Sequence, residues 1–481
     1  MNSPKKILFV AGNLAHLHQF VIHGFFEELA ETSSVYLTMP EQDFASERWI
    51  EIASSLVGVF KEVTPYKYSK RSRASGARLS AAATFRFRKR SSGYRGRILN
   101  KLVGVQKVPS NFLSLSGIKS ICFNFRYLSW RFIRQTPAIV RAIRPIFWLW
   151  SKYKKWQIMQ GCSIDAIVGL ISPDVIVTLM QRQAGFVIAS IESGEKFQIP
   201  TLLIPYKWDN ASSKSPLIQT PTKMLVYNSA IREVCARLHK MPVIDVVAVG
   251  SVEVGRGNFL PIQPKRNLIL LIGASRNSVD SFEWIEHVNS LLCSSAFTAI
   301  SRNYQAHWRP YPNQSEDNLR LISDFIVDKS QIRIDNDIFM GLSHRSNGVP
   351  FVTVRDAYYR YIGLLNSAIL IISEGTSAII DARARGVPVI FPAFRKNAFI
   401  GSQWFNLNQF EHLVGLRQTN GVSIAEDEEE LKRLVVDFLE NPSRIPPDNS
   451  GANIFVDERT YAQRVLDVID EAIAEKSKQR D

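Results

Sequence analysis

Residues 372–390, ISEGTSAIIDARARGVPVI, set three hydroxyl side chains, Gly375 and the Asp381 carboxylate around one strand-to-helix junction. Ala368 to Ile372 is a short apolar run ending at Ser373, the pattern of a parallel strand covered on both faces. Gly375 permits a tight turn, and Thr376 or Ser377 can cap the helix that follows. Gly386 suits the left-handed position that closes a helix, with Pro388 just beyond. A helix start of this kind presents free N–H groups, hydroxyls and the positive end of a dipole, all of them suited to a phosphate. Asp381, one turn in and on the face of Ser377, is positioned to accept hydrogen bonds from ribose hydroxyls. The same residues would equally make an ordinary capped helix in any α/β domain.

Such a junction needs a sheet behind it, and the chain supplies two. KKILFVAG reads as a strand, HQFVIHGFFEELAE as an amphipathic helix and SSVYLTMP as a second strand. PDVIVTLM (173–180), IPTLLIPY (199–206), TKMLVYN (222–228) and VIDVVAVGS (243–251) continue the series, with helices between them. The cycle restarts at RNLILLIGASRNS (266–278) and runs to DAYYRYIGLLNSAILIISEGTSAIIDARARGVPVIFP. This β-α alternation predicts two doubly wound parallel sheets. The expected division is 1–255, an N-terminal Rossmann-like domain, and 256–455, a second one, across the Gly- and Pro-rich EVGRGNFLPIQPKR. Residues 456–481 form a C-terminal helix expected to pack back on the first domain. Ligands in such sheets bind at the C-terminal ends of the strands.

With 481 residues the chain is too long for a single core, and its 46% apolar composition is that of a globular protein. MNSPKKILFVAGN reads as a first strand, not as a cleavable signal peptide. No apolar run approaches the roughly 20 residues of a membrane span, so a cytoplasmic location is expected. Cys122, Cys162, Cys235 and Cys293 lack metal or redox spacing and read as reduced thiols. The net charge of +15 is concentrated: residues 66–107 hold 13 Lys or Arg and no acid. This block reads as a flexible basic excursion from the first domain, suited to an anionic membrane surface, an anionic acceptor or nucleic acid. Phe85, Phe87, Tyr94, Ile98 and Leu99 among its charges suit a lipid headgroup layer, and a helical stretch rich in Arg, Trp and Phe follows at 125–157.

The order of elements resembles the GT-B superfamily of nucleotide-sugar glycosyltransferases over nearly the whole chain. The residues that carry the likeness are VAGNLAHLHQF, VVAVGS, GASRNS, WRPYP (308–312) and SEGTSAIIDARARGVPVI. The resemblance implies two Rossmann-like domains facing a central cleft, with the donor nucleotide held by the second. Ser373, Gly375, Thr376 and Ser377 would meet its phosphates and Asp381 its ribose, where Glu is more usual. WRPYP is similar to the Arg-Pro-His-Pro segment of bacterial capsule and teichoic-acid transferases, with Tyr311 in place of His. Arg309 would then serve the pyrophosphate, with Tyr311, Gly273 and Arg276 beside it. Cationic groups and a helix start stabilise the leaving group in such enzymes, so neither metal nor cofactor is expected beyond the nucleotide-sugar co-substrate. Asp335 and Asp337 form a lone Asp-x-Asp, read as a polar turn. An acceptor-side base is expected in the first domain. His16 and His18 follow the first strand, and PYKWDNASSKSP (205–216) offers Asp209 as base or acceptor-orienting group. Trp208, Asn210 and Lys214 beside it would bind the acceptor.

The expected function is metal-independent transfer of a sugar to a hydroxyl of a surface-polysaccharide or lipid-linked glycan acceptor, at the inner face of a bacterial membrane. Polyol-phosphate transfer of the CDP-glycerol type and nucleotide-sugar 2-epimerisation are alternatives on the same fold. The latter requires acidic residues and a His in an arrangement that no motif reveals. A nucleic-acid- or membrane-binding protein would account for residues 66–107 but not for SEGTSA, and no nucleic-acid recognition motif is present.

Overall fold

The computed structural model describes residues 4–14, 17–87, 137–180, 185–205, 207–214, 217–253, 267–273, 280–294, 304–309, 331–335, 351–375, 377–397, 402–442 and 459–478. β1 (Lys5–Ala11), β2 (Ser33–Pro40), β3 (Phe60–Tyr66), β4 (Val175–Met180), β5 (Thr201–Pro205), β6 (Lys223–Val226) and β7 (Val246–Ala248) form one sheet. Its order is β3-β2-β1-β4-β5-β6-β7 and its pairings are parallel. β8 (Leu268–Ile272), β9 (Gln305–Arg309), β10 (Ile332–Ile334), β11 (Ala368–Ser373), β12 (Val389–Pro392) and β13 (Val422–Ala425) form the other. Its order is β10-β9-β8-β11-β12-β13, also parallel. The chain is therefore α/β, with two Rossmann-like sheets, as its alternation predicts.

The central strands explain why. All of Leu268–Ile272 and Val175–Met180 is buried, because helices cover both faces of each sheet and an unbroken apolar run satisfies both. The order of strands reverses once in each sheet, between β1 and β4 and between β8 and β11. At these switch points neighbouring loops diverge and leave a crevice.

The helix Tyr461–Lys478 buries Tyr461, Val465, Val468 and Ile469 in the same core as Phe20, Phe25 and Phe26. Trp208 and Tyr227, from the first half of the chain, lie in a core otherwise built by the second, with Leu268, Ala378 and Leu413. On the second sheet Arg383 is fully buried and donates to the carbonyls of Val387 and Asn420, both at 2.8 Å. Its guanidinium fills the space over Gly421, where a Cβ would stand 2.5 Å from it. Gly386 takes φ +71°, the left-handed conformation its place after the helix requires.

The start of the basic segment departs from the flexible excursion expected. Lys70–Phe87 is a helix packed against a second helix, Pro137–Gln160. The signal is a stripe of small and apolar residues, Ser72, Ser75, Gly76 and Leu79, all buried at helical spacing. Ser72 donates to the Gln157 carbonyl at 3.1 Å and Ser75 to Gln157 Oε1 at 2.8 Å. A Cβ on Gly76 would lie 2.6 Å from the Gly185 nitrogen, so the approach depends on glycine. Residues 88–107 and the linker residues 254–266 lie outside the described residues.

Candidate functional site

At the switch point of the second sheet, β8 leads into Gly273, β9 ends at Arg309, and β11 leads into Glu374 and Gly375. The Gly273 N–H donates to the Arg309 carbonyl at 3.2 Å, which joins the first two strand ends. The Glu374 N–H donates to the Ile272 carbonyl at 3.3 Å, which ties in the third. The fully buried Glu374 carboxylate accepts the Trp284 indole N–H at 3.2 Å.

From this junction a row of polar side chains runs toward the first half of the chain. Arg309 pairs with Asp335, and its guanidinium lies 4.9 Å from the centre of the Tyr361 ring. Tyr361 belongs to the helix Phe351–Ser367 and donates through its hydroxyl to Asp381 Oδ2 at 3.2 Å. Asp381 sits in the helix Ala378–Ala384 and is 6% exposed. One turn on, Arg385 donates to the Asp381 carbonyl at 2.7 Å.

The row continues across the seam between the two halves. Glu253, just beyond β7, accepts from Lys207 Nζ at 2.6 Å. His23, after the helix His18–Ile22, packs edge-on against Tyr358 with centroids 4.8 Å apart. The Tyr359 hydroxyl donates to the Ile22 carbonyl at 3.5 Å. Burial first, and then the charge of Glu253, push the Asp381 carboxyl up to about 7. Arg385, Lys207 and the Tyr361 hydrogen bond oppose that rise. Burial pushes His23 down to about 4, reinforced by Arg385 and Lys207 and opposed by Glu253. Near neutral pH the seam thus holds a carboxyl able to take or give a proton and an uncharged imidazole.

Several expected residues take up other work. Ser373 is fully buried, and its hydroxyl donates to the Glu374 carbonyl at 2.9 Å. The Gly375 N–H donates to Gln403 Oε1 at 3.3 Å, so one group of the expected phosphate cradle is already bonded. Gly375 also lets the turn approach Leu413, which a Cβ would meet at 3.0 Å. Ser377 stands before its helix but makes no side-chain cap bond. His18 is buried, on the helix face it shares with the buried Val21. Trp208 is 5% exposed and meets the edge of His412 at 4.9 Å, so it joins the two halves instead of offering an open platform to a sugar. Asn210 is fully buried, with its amide directed to the Met180 carbonyl at 3.4 Å, and opens a π-helical turn, Asn210–Lys214. Asp209 is half-buried at that turn. Ser212 contacts His412 Nδ1 at 3.2 Å. Asp335 serves Arg309, in keeping with a polar turn. His16, Arg276, Tyr311, Thr376, Asp337 and the Lys214 side chain lie outside the described residues. Among those described, no group of three or more His, Cys, Asp or Glu is placed to hold a metal ion. No described helix is long and apolar enough to cross a membrane.

His23, Lys207, Glu253, Tyr358, Tyr361 and Arg385 are the site residues that sequence motifs did not mark. Tyr358 and Tyr361 are three apart in DAYYRYIG, and Arg385 is four past Asp381, so helical spacing alone puts each pair on one face.

No protein-family model matches the sequence, and no curated protein matches it. Solved structures do resemble the fold. A Listeria monocytogenes protein assigned as a UDP-N-acetylglucosamine 2-epimerase superposes with a TM-score of 0.50 at 10% identity, over 99% of this chain and 98% of that one. The UDP-GlcNAc 2-epimerase of Methanocaldococcus jannaschii gives 0.49 at 10% identity, over 97% and 99%. Acinetobacter baumannii MurG gives 0.41 at 10%, over 97% and 100%. At such identity the likeness concerns architecture alone: two Rossmann-like domains in the GT-B arrangement, along the full length of the chain.

Proposed function

We propose that the protein is a nucleotide-sugar glycosyltransferase acting on a hydroxyl of a surface-polysaccharide or lipid-linked glycan. The observation that carries this reading is the row Arg309–Tyr361–Asp381 at the switch point of the second sheet. A guanidinium held over an aromatic ring at a strand end suits a nucleotide diphosphate. Gly273, Arg276, Tyr311, Thr376 and Ser377 are the further groups assigned to the donor. The Tyr361 hydroxyl and Asp381 carboxyl then serve the hydroxyls of ribose or sugar. Across the seam Glu253 is the group best suited to take the acceptor's proton, ahead of His18 and Asp209. No bound metal is required in this scheme, because Arg309 and Arg385 supply the positive charge that the departing diphosphate needs.

Nucleotide-sugar 2-epimerisation is the second reading. It is favoured by the convergence of Glu253, Asp381 and His23, since removing and returning a proton at a sugar carbon calls for two acid–base groups.

One experiment separates the two. The chain is first screened by calorimetry against UDP, GDP, CMP, CDP, ADP and dTDP, and the sugar conjugates of any binder are then followed by NMR. Nucleotide release that depends on an added glycan acceptor is the expected result. A new sugar resonance without acceptor would support epimerisation, and release from CDP-glycerol would support polyol-phosphate transfer. Failure to bind any nucleotide would overturn all three.

A further inference from the structure

The helix Pro137–Gln160 turns an aromatic face to solvent that the nucleotide site does not use. Trp148, Leu149, Tyr153 and Trp156 are 53%, 60%, 46% and 54% exposed. Together with exposed Lys152 they fall at positions i, i+1, i+4, i+5 and i+8, a single helical stripe. The opposite face is committed: Lys154, Gln157 and Ile158 are buried, and Lys154 and Ser75 both donate to Gln157 Oε1. Isolated apolar side chains on a surface need no explanation, but four within nine residues on one face do.

The details of the stripe indicate what covers it. Lys152 Nζ stands 4.0 Å from the centre of the Trp148 ring. The Tyr153 and Trp156 rings stack with centroids 5.9 Å apart at 21°. Arg71, from the neighbouring helix, donates to the Tyr153 hydroxyl at 3.3 Å. One face of each ring is thus taken by a cation or by its neighbour, and the stripe presents ring edges, Leu149 and ammonium or guanidinium groups. Bases of a single-stranded nucleic acid need open ring faces to stack upon. A second copy of the chain would bring like charge to like, since the helices Lys70–Phe87 and Pro137–Gln160 together contain ten Lys or Arg and no Asp or Glu. Tryptophan, tyrosine and leucine bordered by basic side chains are suited to the headgroup layer of an anionic bilayer.

We propose that this face docks the protein on an anionic lipid surface, with Trp148, Leu149 and Trp156 entering the headgroup–acyl boundary. Lys152 and Arg71 meet lipid phosphates there, each worth about fivefold in partitioning. The assignment goes beyond the nucleotide chemistry and does not depend on it.

The test uses the full chain with phosphatidylcholine vesicles prepared with and without phosphatidylglycerol. Binding is followed by co-sedimentation and by quenching of tryptophan fluorescence with acyl-brominated lipid. The chain is expected to bind the anionic vesicles and to be quenched. Trp148→Ser/Trp156→Ser should lower partitioning by about tenfold or more and remove most of the quenching. Lys152→Glu should weaken binding and leave the residual quenching in place. All these side chains are solvent-exposed, so the unfolding temperature and nucleotide affinity of the variants should match the parent. A double variant that binds anionic vesicles as tightly as the parent would overturn the proposal. So would a parent that ignores vesicles but binds single-stranded oligonucleotides, or that dimerises, through these same tryptophans.

Discussion

The Tyr361 hydroxyl donates to the Asp381 carboxylate at 3.2 Å, and this bond joins the guanidinium row at the strand ends to the charged seam between the two halves. Burial, followed by the charge of Asp381, holds the Tyr361 phenol far above the usual tyrosine range, so it is a donor at every working pH. The carboxyl it serves is raised by burial and by Glu253 into the region where solution pH controls its charge.

Asp381 should therefore leave a signature in stability against pH. Its folded pKa of about 7 lies above the ordinary carboxyl value of 3.8. Between those values the folded chain holds a proton that the unfolded chain has released. The stability that Asp381 contributes is greatest below about pH 4, falls as pH rises to about 7, and is level above that. The whole excursion amounts to a few kcal/mol at ~1.4 kcal/mol per pH unit. Asp381→Asn cannot titrate, so its unfolding temperature relative to the parent should climb from pH 4 to 7 and then stay constant. A difference independent of pH would assign the titration elsewhere.

His23 predicts the opposite slope over nearly the same window. Its folded pKa of about 4 lies below the ordinary 6.5, with burial as the main cause. As pH falls the unfolded chain takes up the proton first, so stability present above about 6.5 is lost toward 4. The two slopes oppose one another between pH 4 and 6.5, and these two contributions should largely cancel there. His23→Phe keeps an aromatic edge against Tyr358 and should expose the decline with rising pH that Asp381 causes. Asp381→Asn should expose the rise caused by His23. Thermal unfolding of both variants at five or so pH values checks the pair.

Tyr361→Phe and Arg309→Lys should separate the two functions of the row. Phenylalanine keeps the ring beneath Arg309, so nucleotide affinity should change little. Asp381 loses a donor to its charged form, and the pH midpoint seen by comparison with Asp381→Asn should move upward. Lysine at 309 keeps the charge but loses the planar fork and the stacking on Tyr361. Nucleotide binding should then weaken by about tenfold, read by calorimetry.

Both sheets were legible because their strands are unbroken apolar runs with turn residues between them, as in AILIIS and LILLI. Gly386 could be read for a related reason, since it acts through its position within one short segment. Ser373 and Trp208 could not. Sequence shows that a hydroxyl ends a strand, but not that it turns inward to the Glu374 carbonyl. It shows a tryptophan at a strand end, but not that the other half of the chain will cover it. The seam was hidden for the same cause: His23, Glu253 and Tyr358 are more than 100 residues apart and no local pattern links them. The Lys70–Phe87 helix was masked by its charges, because the stripe that packs it consists mainly of Ser and Gly.

The C-terminal helix provides the last prediction. Lys223, on β6, is 1% exposed, and its ammonium lies 2.9 Å from Glu475, 3.3 Å from Asp245 and 3.6 Å from Glu471. Burial works against that charge, but Glu475 and Asp245 outweigh it and keep the lysine protonated. Arg464 donates to the Val249 carbonyl at 2.6 Å from the same helix. These bonds orient the helix, but its packing should dominate the energetics. Tyr461, Val465, Val468 and Ile469 are almost fully buried, and at about 1.5–3 kcal/mol each they contribute about 6–12 kcal/mol. That is comparable to the whole stability of a typical domain, about 5–15 kcal/mol. A chain ending at residue 458 should therefore fail to fold its first half, seen as lost amide-exchange protection in β1, β2 and β4. Lys223→Met should be far milder, because its carboxylate partners are 29–47% exposed and water can solvate them. If Lys223→Met proved as damaging as the truncation, the ion cluster and not the apolar face would be what anchors the helix.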